Sequence, residues 1–147
     1  MRIIVADDFV TMRRIVRECL TNLGYTDIID ARNGKEAWDK IIAVCDVPEK
    51  RIEMGIIDWN MPVMTGLLLL KMIREDERTK DFIFIMLTAE QQRENIMAAS
   101  QYGVDEYILK PFNHDSLKGR LLNLGKKRLG NIEKEIVTIQ RNSAKNP

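Results

Sequence analysis

Five short apolar runs punctuate the chain, and each gives way to polar residues. RIIVA (2–6) runs into Asp7-Asp8, and DIIDA (27–31) into Arg32-Asn33-Gly34. MGIID (54–58) closes on its own Asp58, FIFIMLTA (82–89) ends with Thr88 and Ala89, and EYILK (106–110) finishes on Lys110 before Pro111. Between the runs the apolar positions fall at helical spacing. Met12, Ile15, Val16, Cys19, Leu20 and Leu23 line one face ahead of Gly24, and Ala37, Trp38, Ile41, Ile42 and Cys45 follow Asn33-Gly34. Further helices are predicted over 66–76, over 94–103 up to Gly103, and over 115–129. Residues 45–53, CDVPEKRIE, read as a polar loop.

Five strands alternating with five helices predict an α/β fold with a doubly wound parallel sheet and right-handed crossovers. The strands are continuously apolar instead of alternating, which fits a sheet covered by helices on both faces. In such sheets a binding site lies beyond the carboxyl ends of the strands. The pattern thus gathers Asp7, Asp8, Asp58, Thr88, Ala89 and Lys110 along one rim.

Length and charge narrow the picture. The 147 residues suit one domain with one core, and no apolar run reaches membrane-span length. The start MRIIVADD shows no signal-peptide pattern, so a cytoplasmic location is expected. The net charge of +1 gives no overall field for nucleic acid. Basic charge concentrates after Gly125, where Lys126, Lys127, Arg128, Lys134, Arg141 and Lys145 face only Glu133 and Glu135. The two cysteines, Cys19 and Cys45, sit at apolar helix positions and read as small buried thiols in a reducing compartment.

Three carboxylates in one cleft repel each other unless a cation offsets them. An oxygen-only acidic site without Cys or His suits Mg²⁺. Lys110 alone cannot neutralise three acids, and a metal acting with Lys110 leaves room for an incoming anion. That combination serves phosphoryl transfer, with a carboxylate as nucleophile.

The blocks VADDF.TMRRIVR, DWNMP..TG, TAE...ENI and YILKPF resemble the receiver domain of two-component response regulators, and more narrowly the single-domain chemotaxis regulators of the CheY type. The resemblance covers residues 2 to about 124. It implies a flavodoxin-like, CheY-like sheet of order 2-1-3-4-5 and a receiver domain over 1–124. It also implies Asp58 as phosphoacceptor and Mg²⁺ held by Asp8, Asp58 and the Asn60 backbone carbonyl, with Asp7 acting indirectly. Lys110 would pair with the phosphoryl group and precede a cis bond to Pro111. Thr88 would donate its hydroxyl, and Ala89 would be small so that its N–H can approach. Thr88 and Tyr107 would form a switch, while Asn60 and Glu90 tune dephosphorylation. The implied function is that of a phosphorelay protein in flagellar chemotaxis and not an enzyme, beyond catalysing its own phosphotransfer and autodephosphorylation. The implied partners are a CheA-type histidine kinase and an output protein such as a flagellar motor switch protein, the output protein being bound by the surface of the fourth helix, fifth strand and fifth helix.

Plainer roles stand beside these: Asp7 as a helix cap, Thr88 as an ordinary strand residue, Tyr107 as a partly buried core aromatic, Trp59 as a cover for the site edge, and His114 as a surface residue near the last helix's start. Two features depart from the family. The 45–53 loop is longer than usual and is placed at the far end of the sheet from the site. A C-terminal extension, 125–147, is read as helical and then frayed, with Leu129, Ile132, Ile136 and Ile139 in 3-4-3 spacing. It is open to packing back, to pairing with a second copy, or to partner binding in a different two-component pathway. Among rivals, a metal-dependent aspartyl phosphatase of the haloacid-dehalogenase type wants a second acid where Asn60 stands. A flavodoxin-like cofactor module wants a phosphate-binding loop where Asp7-Asp8 stand. A DNA-binding role has only the basic tail behind it.

Overall fold

Every apolar run forms a strand and every amphipathic stretch a helix. The order is β1 (Arg2–Ala6), α1 (Val10–Asn22), β2 (Asp27–Ala31), α2 (Gly34–Val44), β3 (Ile52–Ile57), α3 (Gly66–Glu75), β4 (Ile83–Thr88), α4 (Arg93–Gln101), β5 (Glu106–Leu109) and α5 (His114–Lys145). The computed structural model describes residues 1–145, and the side chains of all of these but 127–133, 135 and 143–145. The five strands form one parallel sheet of order β2-β1-β3-β4-β5.

Successive side chains on a strand point to opposite faces, and here both faces are buried. Ile4 and Ala6 of β1, Ile57 of β3, and Phe84 and Met86 of β4 pack with Ala37, Ile41, Leu69, Leu70, Ile73 and Ala99 of α2, α3 and α4. Their neighbours Ile3, Val5, Ile56, Ile85 and Leu87 pack with Val16 and Leu20 of α1 and Leu117, Leu121 and Leu124 of α5. The continuous apolar runs are thus the sequence image of a sheet with two cores. Trp59 belongs to the first core and is buried; it does not merely cover the site edge.

Strand β3 begins two residues earlier than the apolar run predicts. Arg2 pairs with Ile52 and Ile3 with Met54, so Glu53 is an extra residue at a register shift. Arg51, just before this strand, donates from Nε to the Cys45 carbonyl (2.9 Å) and ties the 45–53 loop down at the amino end of the sheet. Both cysteines are buried and free, and burial pushes the Cys19 thiol up from its usual value.

Helix α5 is continuous through Gly125 and as far as Lys145. Its first part buries Leu117, Leu121 and Leu124, while Ile136, Val137 and Ile139 are exposed. The side chains of Leu129 and Ile132, and residues Asn146 and Pro147, lie outside the described part. Among the described residues no helix is long and apolar enough to cross a membrane.

Candidate functional site

Register builds the site. Ala6 pairs with Ile57, so the residues that follow, Asp7 and Asp58, leave the sheet side by side. The Asp58 N–H donates to the Ala6 carbonyl (2.9 Å), and the Asp7 N–H to that of Ala31 (3.1 Å). On the other side Thr88 pairs with Leu109, and the Lys110 N–H donates to the Thr88 carbonyl (2.9 Å). The Lys110–Pro111 peptide is cis.

Asp7, Asp8 and Asp58 each offer a carboxylate oxygen, and the three oxygens lie within 4.8 Å of one another. Asp7 and Asp58 are buried, at 3% and 7% exposure, while Asp8 is open to solvent. The Lys110 ammonium donates to Asp7 Oδ2 at 2.9 Å and to Asp58 Oδ2 at 3.4 Å. Asp7 Oδ1 accepts the Phe9 N–H (2.9 Å). The N-cap of α1 is Phe9, so Asp7 is not the cap residue itself. Burial pushes the Asp58 carboxyl above its ordinary value. The Lys110 charge and the Thr88 hydroxyl pull it back, and the Asp7 charge pushes it up again.

Thr88 is fully buried at the end of β4, and its hydroxyl accepts the Glu90 N–H (3.2 Å). Ala89 and Asn60 are exposed, Glu90 and Tyr107 half-buried. Tyr107 does not join the acids. Its hydroxyl donates to the Glu90 carbonyl (2.8 Å), and burial, with Glu90 and Asp58 adding, pushes it up to about 12. His114 opens α5 and is half-buried.

Two supports were not among the residues singled out from the sequence. Gly66 starts α3 beneath Asp58, where a Cβ would stand 2.3 Å from the Asp58 carbonyl oxygen. Its N–H also donates to the Trp59 carbonyl (2.9 Å), which closes the loop. Arg13 donates from Nη1 to the Asp7 carbonyl (2.6 Å). Its signal was an arginine three residues before Val16 and seven before Leu20, on the buried face of α1.

Three carboxylates against one ammonium leave a net negative, oxygen-only pocket with one open side at Asp8. That donor set fits a hard divalent cation that keeps some of its waters, as Mg²⁺ does.

A doubly wound parallel sheet with this acid–lysine cluster beyond its carboxyl edge defines a receiver-type α/β protein. The chain belongs to the response regulator receiver domain family, which it matches over residues 3–122. It is 43% identical over 121 residues to "Chemotaxis protein CheY1" of Helicobacter pylori, covering 82% of this chain and 94% of that protein. It is 44% identical to "Chemotaxis protein CheY-3" of Vibrio cholerae, covering 82% and 88%. Among solved structures, CheY4 of Vibrio cholerae superposes with a TM-score of 0.70 at 29% identity, over 84% of this chain and 97% of that one. A putative response regulator from Chloroflexus aurantiacus gives 0.73 at 27%, over 84% and 95%. The chain is accordingly a receiver of the type found in chemotaxis response regulators.

One expectation is corrected. The sequence leads one to expect a chain that is not an enzyme, beyond catalysing its own phosphotransfer and autodephosphorylation. The receiver-domain match and the chemotaxis relatives overturn that exclusion: they establish a signalling class, and membership of it carries no exclusion of enzymatic activity.

Proposed function

We propose that this chain is the phosphoacceptor of a chemotaxis-type two-component system. The observation that carries the reading is the convergence of Asp7, Asp8, Asp58 and Lys110 in one pocket. An Asp58 carboxylate oxygen attacks the phosphorus of a phosphohistidine on a CheA-type kinase. The P–N bond breaks, the imidazole leaves and takes up a proton, and an acyl phosphate remains on Asp58. Asp8, Asp58 and the Asn60 backbone carbonyl would hold Mg²⁺, with Asp7 assisting indirectly. When bound, the ion supplies positive charge that offsets the negative charge on the phosphoryl oxygens. Lys110 supplies further positive charge from the protein's side, released in part from Asp7 and Asp58. The Thr88 hydroxyl and the Ala89 N–H serve as donors to the phosphoryl oxygens.

The new group adds about −1.5 to −2 charges to a pocket that is already negative. Thr88 turning toward it withdraws its oxygen from the Glu90 N–H. Tyr107 is bonded to the next link, the Glu90 carbonyl, so it feels the same movement. Through Thr88 and Tyr107 the surface of α4, β5 and α5 changes, and an output partner such as a flagellar motor switch protein binds it. Asn60 and Glu90 stand at the approach of water and tune the lifetime of the phosphate. Residues 1–124 form the receiver unit, and a cytoplasmic location follows from this role.

The experiment is phosphate incorporation from acetyl phosphate with Mg²⁺. Wild type takes up one phosphoryl group per chain and Asp58→Asn none. Continued labelling of this pocket in Asp58→Asn would overturn the reading.

The exposed Ile136, Val137 and Ile139 favour a second reading. In it the receiver serves a different two-component pathway, and the 125–147 extension pairs with a second copy or holds a partner. Sedimentation of the full chain, with and without phosphodonor, distinguishes the two.

A further inference from the structure

Arg13 is a charged residue in an unusual place. It sits in the first turn of α1, which packs on the sheet, and is only 8% exposed. Burying a guanidinium is costly unless it is paired and hydrogen-bonded. Its Nη1 donates to the Asp7 carbonyl at 2.6 Å. Its Nε has no hydrogen bond and faces Asp30 Oδ2 at 3.5 Å, as an ion pair only. Arg17 also pairs with Asp30, and the Lys40 ammonium holds the Asp30 carbonyl at 2.6 Å. Asp30 is therefore held from two helices, and Arg13 spans from it to the end of β1.

Asp7 is thus held on both sides, through the peptide before it and the peptide after it. The Asp7 N–H is fixed by Ala31, the residue after Asp30. The Asp7 carbonyl, which belongs to the Asp7–Asp8 peptide, is fixed by Arg13. The orientation of this peptide decides where the Asp8 carboxylate emerges relative to Asp58. Asp8 is exposed, and no side-chain hydrogen bond of its own is seen among the described residues, so its direction is set through the backbone.

We propose that Arg13, anchored by Asp30, is a positioning residue that aims the Asp7–Asp8 segment at Asp58 and thereby sets the pocket's affinity for a divalent cation. This rests on the Mg²⁺ reading given above. Groups that orient metal ligands without touching the metal change affinity about 10- to 100-fold when removed. A purely packing role would instead cost stability and leave affinity alone.

The test is Mg²⁺ titration of the full chain, followed by the fluorescence of Trp59, the residue next to Asp58, with urea unfolding in parallel. Asp8→Ala serves as the reference for lost cation binding. Arg13→Ala is expected to weaken Mg²⁺ at least about 10-fold. Arg13→Lys keeps the charge but cannot span Asp30 and the Asp7 carbonyl together, and is expected to fall between wild type and Arg13→Ala. Asp30→Asn is expected to weaken Mg²⁺ in the same direction, which keeps the test decisive should Arg13→Ala fail to fold. Arg74→Gln, at the far end of the sheet, is expected to lose stability and keep its Mg²⁺ affinity. Affinities within twofold of wild type for Arg13→Lys and Asp30→Asn overturn the positioning role while leaving the metal site standing. Wild type and Asp8→Ala titrating alike removes both.

Discussion

A β-branched residue in left-handed backbone is rare, because its Cβ crowds the following carbonyl. Val63 has φ 70° and is 79% exposed. No packing therefore repays the strain, which costs about 1–2 kcal/mol. The conformation is imposed by the loop's ends. Gly66 closes onto Trp59, and the Met64 carbonyl accepts the Gly34 N–H (3.2 Å), where a Cβ on Gly34 would come within 2.5 Å of that oxygen. Asparagine tolerates this region, and it avoids the extra unfolded-state freedom of glycine. Val63→Asn is expected to raise stability by about 1 kcal/mol, read as a higher urea midpoint at constant m-value. A lower midpoint would show that Val63 makes contacts that matter. Residues of this kind were hidden in the sequence. The acids and Lys110 were legible because each stands at the end of an apolar run. Val63 and Gly66 were not, because a backbone angle or a close approach leaves no periodic trace. Arg13 fell between the two: its buried position was encoded in helical spacing, but its partner, the Asp7 carbonyl, was not.

Elements are legible where pattern and propensity agree. All five strands were visible as apolar runs, since β1, β3 and β4 are buried on both faces. The start of β3 was obscured by the exposed Glu53 at the register shift. Helix α2 has a start signal that works: Asn33 Oδ1 accepts the Glu36 N–H (2.8 Å). Glu36 in turn accepts from the Arg32 Nε (3.1 Å) and the Lys40 ammonium (3.1 Å). Burial alone would raise its carboxyl, but the hydrogen bonds from Lys40 and Arg32 prevail and hold it below the usual range. A carboxylate with a depressed native pKa stabilises the fold above its unfolded pKa. That contribution is lost as pH falls through the native value. Glu36→Gln is therefore expected to lower stability at neutral pH and to lose less on acidification than wild type, so the two curves converge in acid. Urea midpoints measured from pH 7 down to pH 3 check this, and parallel curves would contradict it.

At the scale of the whole molecule, the question is where the folded unit ends. Its two cores are closed by α1 and α5 on one face and by α2, α3 and α4 on the other. The last buried residue described on α5 is Leu124. Beyond it, Gly125, Lys126, Lys134 and residues 136–142 are exposed, so these side chains add nothing to either core. The helix nevertheless continues, because no proline stops it and the two glycines, Gly125 and Gly130, cost only about 1 kcal/mol each relative to alanine. A helical stretch whose side chains are exposed gains stability only from its own hydrogen bonds and from whatever binds its exposed face. Removing it should leave the sheet and the acid cluster as they are. A chain ending at Leu124 is expected to unfold within about 1 kcal/mol of the full chain at low protein concentration and to accept phosphate equally fast. The sharper part of the prediction concerns concentration. If the full chain self-associates through this helix, its midpoint rises with protein concentration and that of the shortened chain does not, because association stabilises by mass action. A drop of several kcal/mol on shortening, independent of concentration, would mean that the extension packs on its own domain.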